Sequence, residues 1–280
     1  MGNVVFLEHV NTAVPDQQLA TTFYVSGLGL TRDPYMMTGI ENMWINVGGS
    51  QFHLPTAPAQ VVRGRIGVVV PDLAALMRQL SSVKSKLAST MFHYVEGDGH
   101  VDVVSPWGNR YRCHAPRPAY GVARLALPYV AYDVPAGAAA GIAAFYREIL
   151  DAPAQVVDGD DAPCAQVAVG DNQAFRFQET AAPLAGYDGH HVQVYVADFD
   201  AVYRRLESRG LVTEPMRAYQ YRFDTIVDTD GATPLYQLEH EVRSTRHPLY
   251  RRPLVNRNAA QTNRHYVPGN DALEWQGMPR

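Results

Sequence analysis

The sequence predicts an α+β fold of four consecutive units, each a strand, a helix and three further strands, with an irregular tail after them. Three observations carry this. The stretch His9-Val10-Asn11-Thr12-Ala13-Val14-Pro15 ahead of Phe23-Tyr24 returns as Tyr129-Val130-Ala131-Tyr132-Asp133-Val134-Pro135 ahead of Phe145-Tyr146, displaced by 120 residues at the strand and 122 at the aromatic pair. Ile66 to Leu80 runs parallel to Val192 to Leu206 at a constant displacement of 126. Pro-rich joints at Pro55 to Pro58, Pro116 to Pro118 and Ala181 to Pro183 separate the units, which span roughly 3–57, 62–116, 123–180 and 188–243.

Each unit opens with an apolar strand that ends in a Pro or Asp turn. In the fourth, Val194 and Val196 alternate with Gln193 and Tyr195, the period of a strand. Phe199, Val202, Tyr203 and Leu206 then recur at three- and four-residue steps, the period of a helix. Arg209-Gly210 supplies the basic last turn and glycine that end a helix. Short strands follow at Asn42 to Val47, Gln51 to Leu54, Gln166 to Val169 and Ala174 to Phe177. Ser105-Pro106-Trp107-Gly108-Asn109 and Asp228-Thr229-Asp230-Gly231 read as hairpin turns into a last strand. Arg246 to Asn263 is basic, rich in Pro and Asn and aperiodic, so it reads as an extended surface tail. The expected division is a first half over 1–118, a second half over 119–243 and a tail over 244–280.

Composition removes several function classes. The 280 residues carry 24 Lys and Arg against 28 Asp and Glu, a net charge of -4, so no broad basic surface advertises nucleic acid or an anionic membrane. No apolar run approaches the roughly 20 residues of a membrane helix, and Met1 to Phe6 lacks the charged head and apolar stretch of a signal peptide. Cys113 and Cys164 are too few for a disulfide framework, and Cys113 reads as a buried, inert thiol. The expectation is a soluble cytoplasmic protein, monomer or homodimer, that acts on a small molecule and binds neither nucleic acid nor membrane.

The strand openings, the Phe-Tyr-x-x-x-Leu-Gly helix end at Phe23 to Gly29, and the turn-glycine-strand endings at Gly108 and Gly231 resemble the vicinal oxygen chelate superfamily. That superfamily includes glyoxalase I, extradiol dioxygenases, methylmalonyl-CoA epimerase, and the fosfomycin and bleomycin resistance proteins. The resemblance covers residues 3 to about 243. It implies βαβββ modules that pair through curved mixed sheets into cups, with a metal held by one residue on the first strand and one on the last strand of each module. By the repeats, the first-strand places are His9, Arg65, Tyr129 and His191. The last-strand places are His53, Arg112, Arg176 and Glu239, with Gln237 a rival to Glu239, and the spacings are 44, 47, 47 and 48 residues.

Modules one and four therefore offer His9, His53, His191 and Glu239 as metal ligands. Modules two and three offer arginines and a tyrosine, and a guanidinium has no lone pair to give. By the same resemblance, modules one and four share a cup that holds the ion, and modules two and three share one that has lost its ligands. Imidazole with carboxylate selects a divalent transition metal, Fe, Co, Ni, Zn or Mn, over Ca or Mg. Strand alternation puts His191 on a face with Gln193 and Tyr195 and leaves His190 as a surface or outer residue.

Such an ion stabilises an enolate or alkoxide, which implies a lyase or isomerase with Glu239 moving a proton, and with Glu8 and Glu241 as further candidates for that step. Two histidines and a carboxylate also form the ligand set of an Fe(II) dioxygenase. A metal-free, ligand-sequestering resistance protein is the alternative outside enzymes, with Trp44, Tyr129, Tyr195, Tyr221 and Tyr236 as stacking surfaces.

Overall fold

The structure, a computed structural model, describes residues 2–36, 39–159 and 162–257. Most of the tail expected over 244–280 thus lies outside the described residues, as does His265. In chain order the elements are β1 (Val4–Asn11), α1 (Gln17–Ala20), β2 (Thr31–Arg32), β3 (Asn42–Val47), β4 (Ser50–Pro55), β5 (Gly64–Val69), α2 (Leu73–Val83), β6 (His93–Gly97), β7 (His100–Val104) and β8 (Arg110–His114). Then come β9 (Ala126–Pro135), α3 (Ala139–Leu150), β10 (Ala154–Asp158), β11 (Pro163–Gly170), β12 (Gln173–Thr180), β13 (His191–Val196), α4 (Phe199–Glu207), β14 (Val212–Arg217), β15 (Gln220–Val227) and β16 (Pro234–Ser244). Among the described residues the strands build two mixed sheets of eight strands each, the α+β architecture expected from the repeats.

Two compact units divide the chain. Of the described residues, the first holds 2–10 and those within 129–252, and the second those within 11–128 and 253–257. Within the first, strands run in the order β14-β15-β16-β13-β1 and β10-β11-β12-β9. β16 lies parallel to β13 and antiparallel to β15. Within the second, the orders are β4-β3-β2 and β5-β8-β7-β6, with β8 parallel to β5.

The helices start where the sequence provides caps. Asp16, Asp72 and Asp198 each accept backbone N–H bonds at the first turn that follows them. The first helix departs from the regular form, because Thr21–Gly27 is wound as a π-helix and Leu28 N–H reaches Phe23 O. Phe23 and Tyr24 are both fully buried there, and the repeated pair Phe145 and Tyr146 is buried in α3. In the second unit Tyr24 Oη lies 2.7 Å from Tyr111 Oη on β8. In the first unit the repeated helix residue, Tyr146, makes the same reach to His240 on β16, with Oη 2.6 Å from Nε2. Gly108 and Gly231, at the predicted hairpin turns, have φ of 103° and 76°, which L side chains rarely adopt.

The described end of the chain is pinned rather than loose. In the second unit Asn256 is buried, donating to Gly48 O and accepting from Gly48 N–H, while Asn46 donates to Val255 O.

Candidate metal centre

The parallel pairing of β13 with β16 sets His191 beside Glu239, Gln193 beside Glu241 and Tyr195 beside Arg243. Side chains alternate along a strand, so these six project from one face of the first unit. The Nδ1 of His191 is 3.3 Å from Glu239 Oε1, and its Nε2 is 3.8 Å from Glu241 Oε2. His9 reaches the same place from β1. Its ring centre is 5.8 Å from that of His191, and a ring nitrogen of each lies within 4.8 Å of the other. His9 and His191 are thus neighbours in this unit, and Glu239 meets His191.

Carboxylates and guanidiniums interlock at this face. Arg222, across from Glu241 on β15, donates to Glu239 Oε1 and Glu241 Oε2, each at 2.5 Å. Arg243 lies 2.6 Å from Glu241 Oε1 and 3.0 Å from Glu8 Oε2. Glu8, Glu239, Glu241 and the more exposed Glu214, whose Oε2 is 3.5 Å from Arg222 Nε, outnumber the guanidiniums of Arg222 and Arg243. Burial pushes the carboxyls of Glu8, Glu239 and Glu241 above their ordinary range, and the guanidiniums oppose that push. Burial, together with Arg243 and Arg222, holds His9 well below the usual histidine value, so its imidazole is neutral. A neutral His9 imidazole, with carboxylates in excess over guanidiniums, is a donor set that suits a divalent transition metal, so the residues present fit one.

The other expected site residues are placed as follows. His53, in the second unit, stacks flat on Trp44 with ring centres 3.9 Å apart, and its Nε2 is 2.7 Å from Asn42 Oδ1. Gln237, the rival of Glu239, is exposed and donates to Asp224 Oδ2 at 2.9 Å. Of the two places expected for His190, the surface is excluded: it is fully buried just ahead of β13, with Nδ1 2.6 Å from Asp188 Oδ1. The arginines of modules two and three are engaged with their own partners. Arg112 forks onto Asp102 with two 2.8 Å bonds, and Arg176 lies 4.1 Å over the ring of Tyr129.

The register also refines which last-strand residues correspond. Gly67 pairs with Arg112, Ala131 with Arg176 and Gln193 with Glu241. Val14 pairs with Thr56, and the same ladder sets His53 beside Asn11. Glu241, not Glu239, is therefore the counterpart of His53, Arg112 and Arg176. The sequence alignment slipped by two because β16 breaks register twice against β15, at Phe223/Thr225 and at Ile226/Val227. Reasoning from sequence also missed Arg222 and Arg243. The available signal was a charged residue alternating with apolar ones, Glu241-Val242-Arg243, in a strand otherwise reading as core.

No protein-family model matches the sequence, and no curated protein does. Solved structures do match. Glyoxalase I from Zea mays is 12% identical, covers 85% of this chain and 92% of its own, and superposes with a TM-score of 0.59. A provisionally named dioxygenase from Bacillus subtilis is 14% identical over 87% of this chain and 86% of its own, with a TM-score of 0.58. The cppA protein from Streptococcus pneumoniae is 12% identical over 87% of this chain and 100% of its own, at 0.50. At these identities the likeness establishes the fold.

Proposed function

We propose that this chain, which has the fold of the vicinal oxygen chelate superfamily, is a metal-dependent enzyme of lyase or isomerase type acting on a small oxygenated molecule. What carries the proposal is the closeness of His9 to His191, and of His191 to the β16 carboxylates Glu239 and Glu241. His9, His191 and Glu239 hold the ion, one of Fe, Co, Ni, Zn or Mn. His53 is assigned as a further ligand from the alignment of the four modules. A bound divalent ion supplies Lewis acidity that stabilises negative charge developing on a substrate oxygen.

The protein residues divide the remaining work. Arg222 and Arg243 hold the two oxygens of Glu241, whereas Glu239 is engaged only through Oε1. Of the two β16 carboxylates, Glu239 is thus the one with an oxygen clear of guanidinium, suited to donate to the ion or to move a proton. The likeness to glyoxalase I supports this chemistry at the level of fold.

Elemental analysis of wild type, His191→Ala, Glu239→Ala and Glu241→Ala after reconstitution tests it. Bound metal in wild type, lost in His191→Ala and reduced in Glu239→Ala, is the expected result. A wild type that retains none favours ligand sequestration instead, and full retention in both His191→Ala and Glu239→Ala overturns the ligand assignment. One observation favours a second reading. Two histidines and one carboxylate in a single unit form the set used by Fe(II) dioxygenases, and oxygen consumption by the Fe(II) form distinguishes the two.

A further inference from the structure

The Glu8 carboxylate lies directly against His9 yet is closed to substrate by its own bonds. It is buried, and Oε2 sits 3.1 Å from His9 Nδ1 and accepts from Arg243 Nη1 at 3.0 Å. Its other oxygen, Oε1, accepts from the Tyr195 hydroxyl at 3.2 Å. Those donors are themselves held. Tyr195 is stacked by Phe6, ring centres 6.2 Å apart at 13°, and met edge-on by Tyr250 at 4.8 Å. Arg243 is bonded to Gln220 and to Glu241. A carboxylate clamped on both oxygens is a poor proton shuttle, which separates Glu8 from the role that its sequence position suggested.

We infer that Glu8 is a positioning residue for His9: it fixes the imidazole in the tautomer with the proton on Nδ1, which puts the ring's donor lone pair on Nε2. A carboxylate paired with a guanidinium accepts hydrogen bonds and donates none, so the hydrogen between Glu8 and His9 belongs to Nδ1. A neutral imidazole carries one such proton, and its other nitrogen keeps a lone pair. Carboxylates that take the second N–H of a ligating histidine set ring orientation and raise ligand basicity. Glu8 thus links Tyr195 and Arg243 to the affinity of His9 for a metal.

The affinity half of this assignment rests on the metal proposal above; the tautomer half does not. The test uses the full chain, labelled with 15N-histidine and free of metal. Long-range proton–nitrogen spectra report which His9 nitrogen is protonated, with His9→Gln identifying the signals. Wild type is expected to show Nδ1–H, and Glu8→Gln, which keeps an acceptor oxygen, to preserve it. Glu8→Ala is expected to shift the population toward Nε2–H and to weaken Co(II) binding, measured by chelator competition, roughly 10–100-fold. Nε2–H in wild type overturns the inference, as does an unchanged His9 tautomer in a Glu8→Ala protein that melts cooperatively. A wild type with Nδ1–H that binds no Co(II) defeats the metal proposal alone and leaves the tautomer assignment standing.

Discussion

Tyr146 donates its hydroxyl proton to Nε2 of His240 across 2.6 Å of buried space, linking α3 to β16. The direction follows from the other ring nitrogen, since His240 Nδ1 lies 2.7 Å from Leu238 O, a pure acceptor. Burial pushes the His240 pKa down to about 4, so the ring is neutral and Nε2 accepts. Tyr24 and Tyr111 occupy the same two positions in the second unit. This pair of contacts makes His240 the counterpart of Tyr111, and hence Glu241 the counterpart of Arg112.

Tyr146→Phe leaves the buried Nε2 of His240 with its donor removed. The variant is expected to lose about 1–3 kcal/mol of stability in urea unfolding. A loss indistinguishable from zero means that the hydrogen bond makes no net contribution.

Glu239 and Glu241 separate by burial. Glu241 is 3% exposed and held by two guanidiniums, so Glu241→Ala strips a buried partner from both and is expected to destabilise by about 3 kcal/mol. Glu239 is partly open to solvent, and Glu239→Ala is expected to cost below about 1 kcal/mol. Chemical denaturation of the metal-free variants ranks them, and the reverse order contradicts the charge network described.

Cys113 is fully buried, and burial pushes its thiol up to about 12. Cys164 is buried as well. The native protein at about pH 8 is expected to leave both thiols unlabelled by a disulfide reagent, and the denatured protein to label both. Rapid labelling of native wild type that Cys113→Ser abolishes contradicts the burial.

The hydrogen bonds from Arg112 hold Asp102 below its ordinary value of 3.8, aided by the charge of the same guanidinium. A depressed acid contributes stability above its unfolded-state pKa and loses it as pH falls through the folded one. Asp102→Asn is therefore expected to be less stable than wild type at neutral pH, with the gap closing below about pH 4. A gap that stays constant on acidification contradicts this.

Trp44 lies flat on His53, so its emission reports on that ring. If His53 ligates the ion, as the module alignment proposes, Zn(II) addition changes tryptophan fluorescence, and Trp44→Phe removes the change. Stoichiometric metal uptake with no change in Trp44 emission excludes His53.

The four modules and their strand-helix-strand order were legible in the chain itself, as was the expectation that modules one and four, through His9, His53, His191 and Glu239, and not the arginine-bearing modules two and three, supply ligands. Those features are periodic or local, and every copy of a repeat reinforces the others. Tertiary structure alone decided that Glu241 is the counterpart of His53, that Arg222 and Arg243 pair with Glu8, Glu239 and Glu241, and that Glu8 meets His9. The physical reason is that bulges shift a strand against its neighbour without altering its own alternation, and charge partners more than two hundred residues apart, such as Glu8 and Arg243, leave no local pattern.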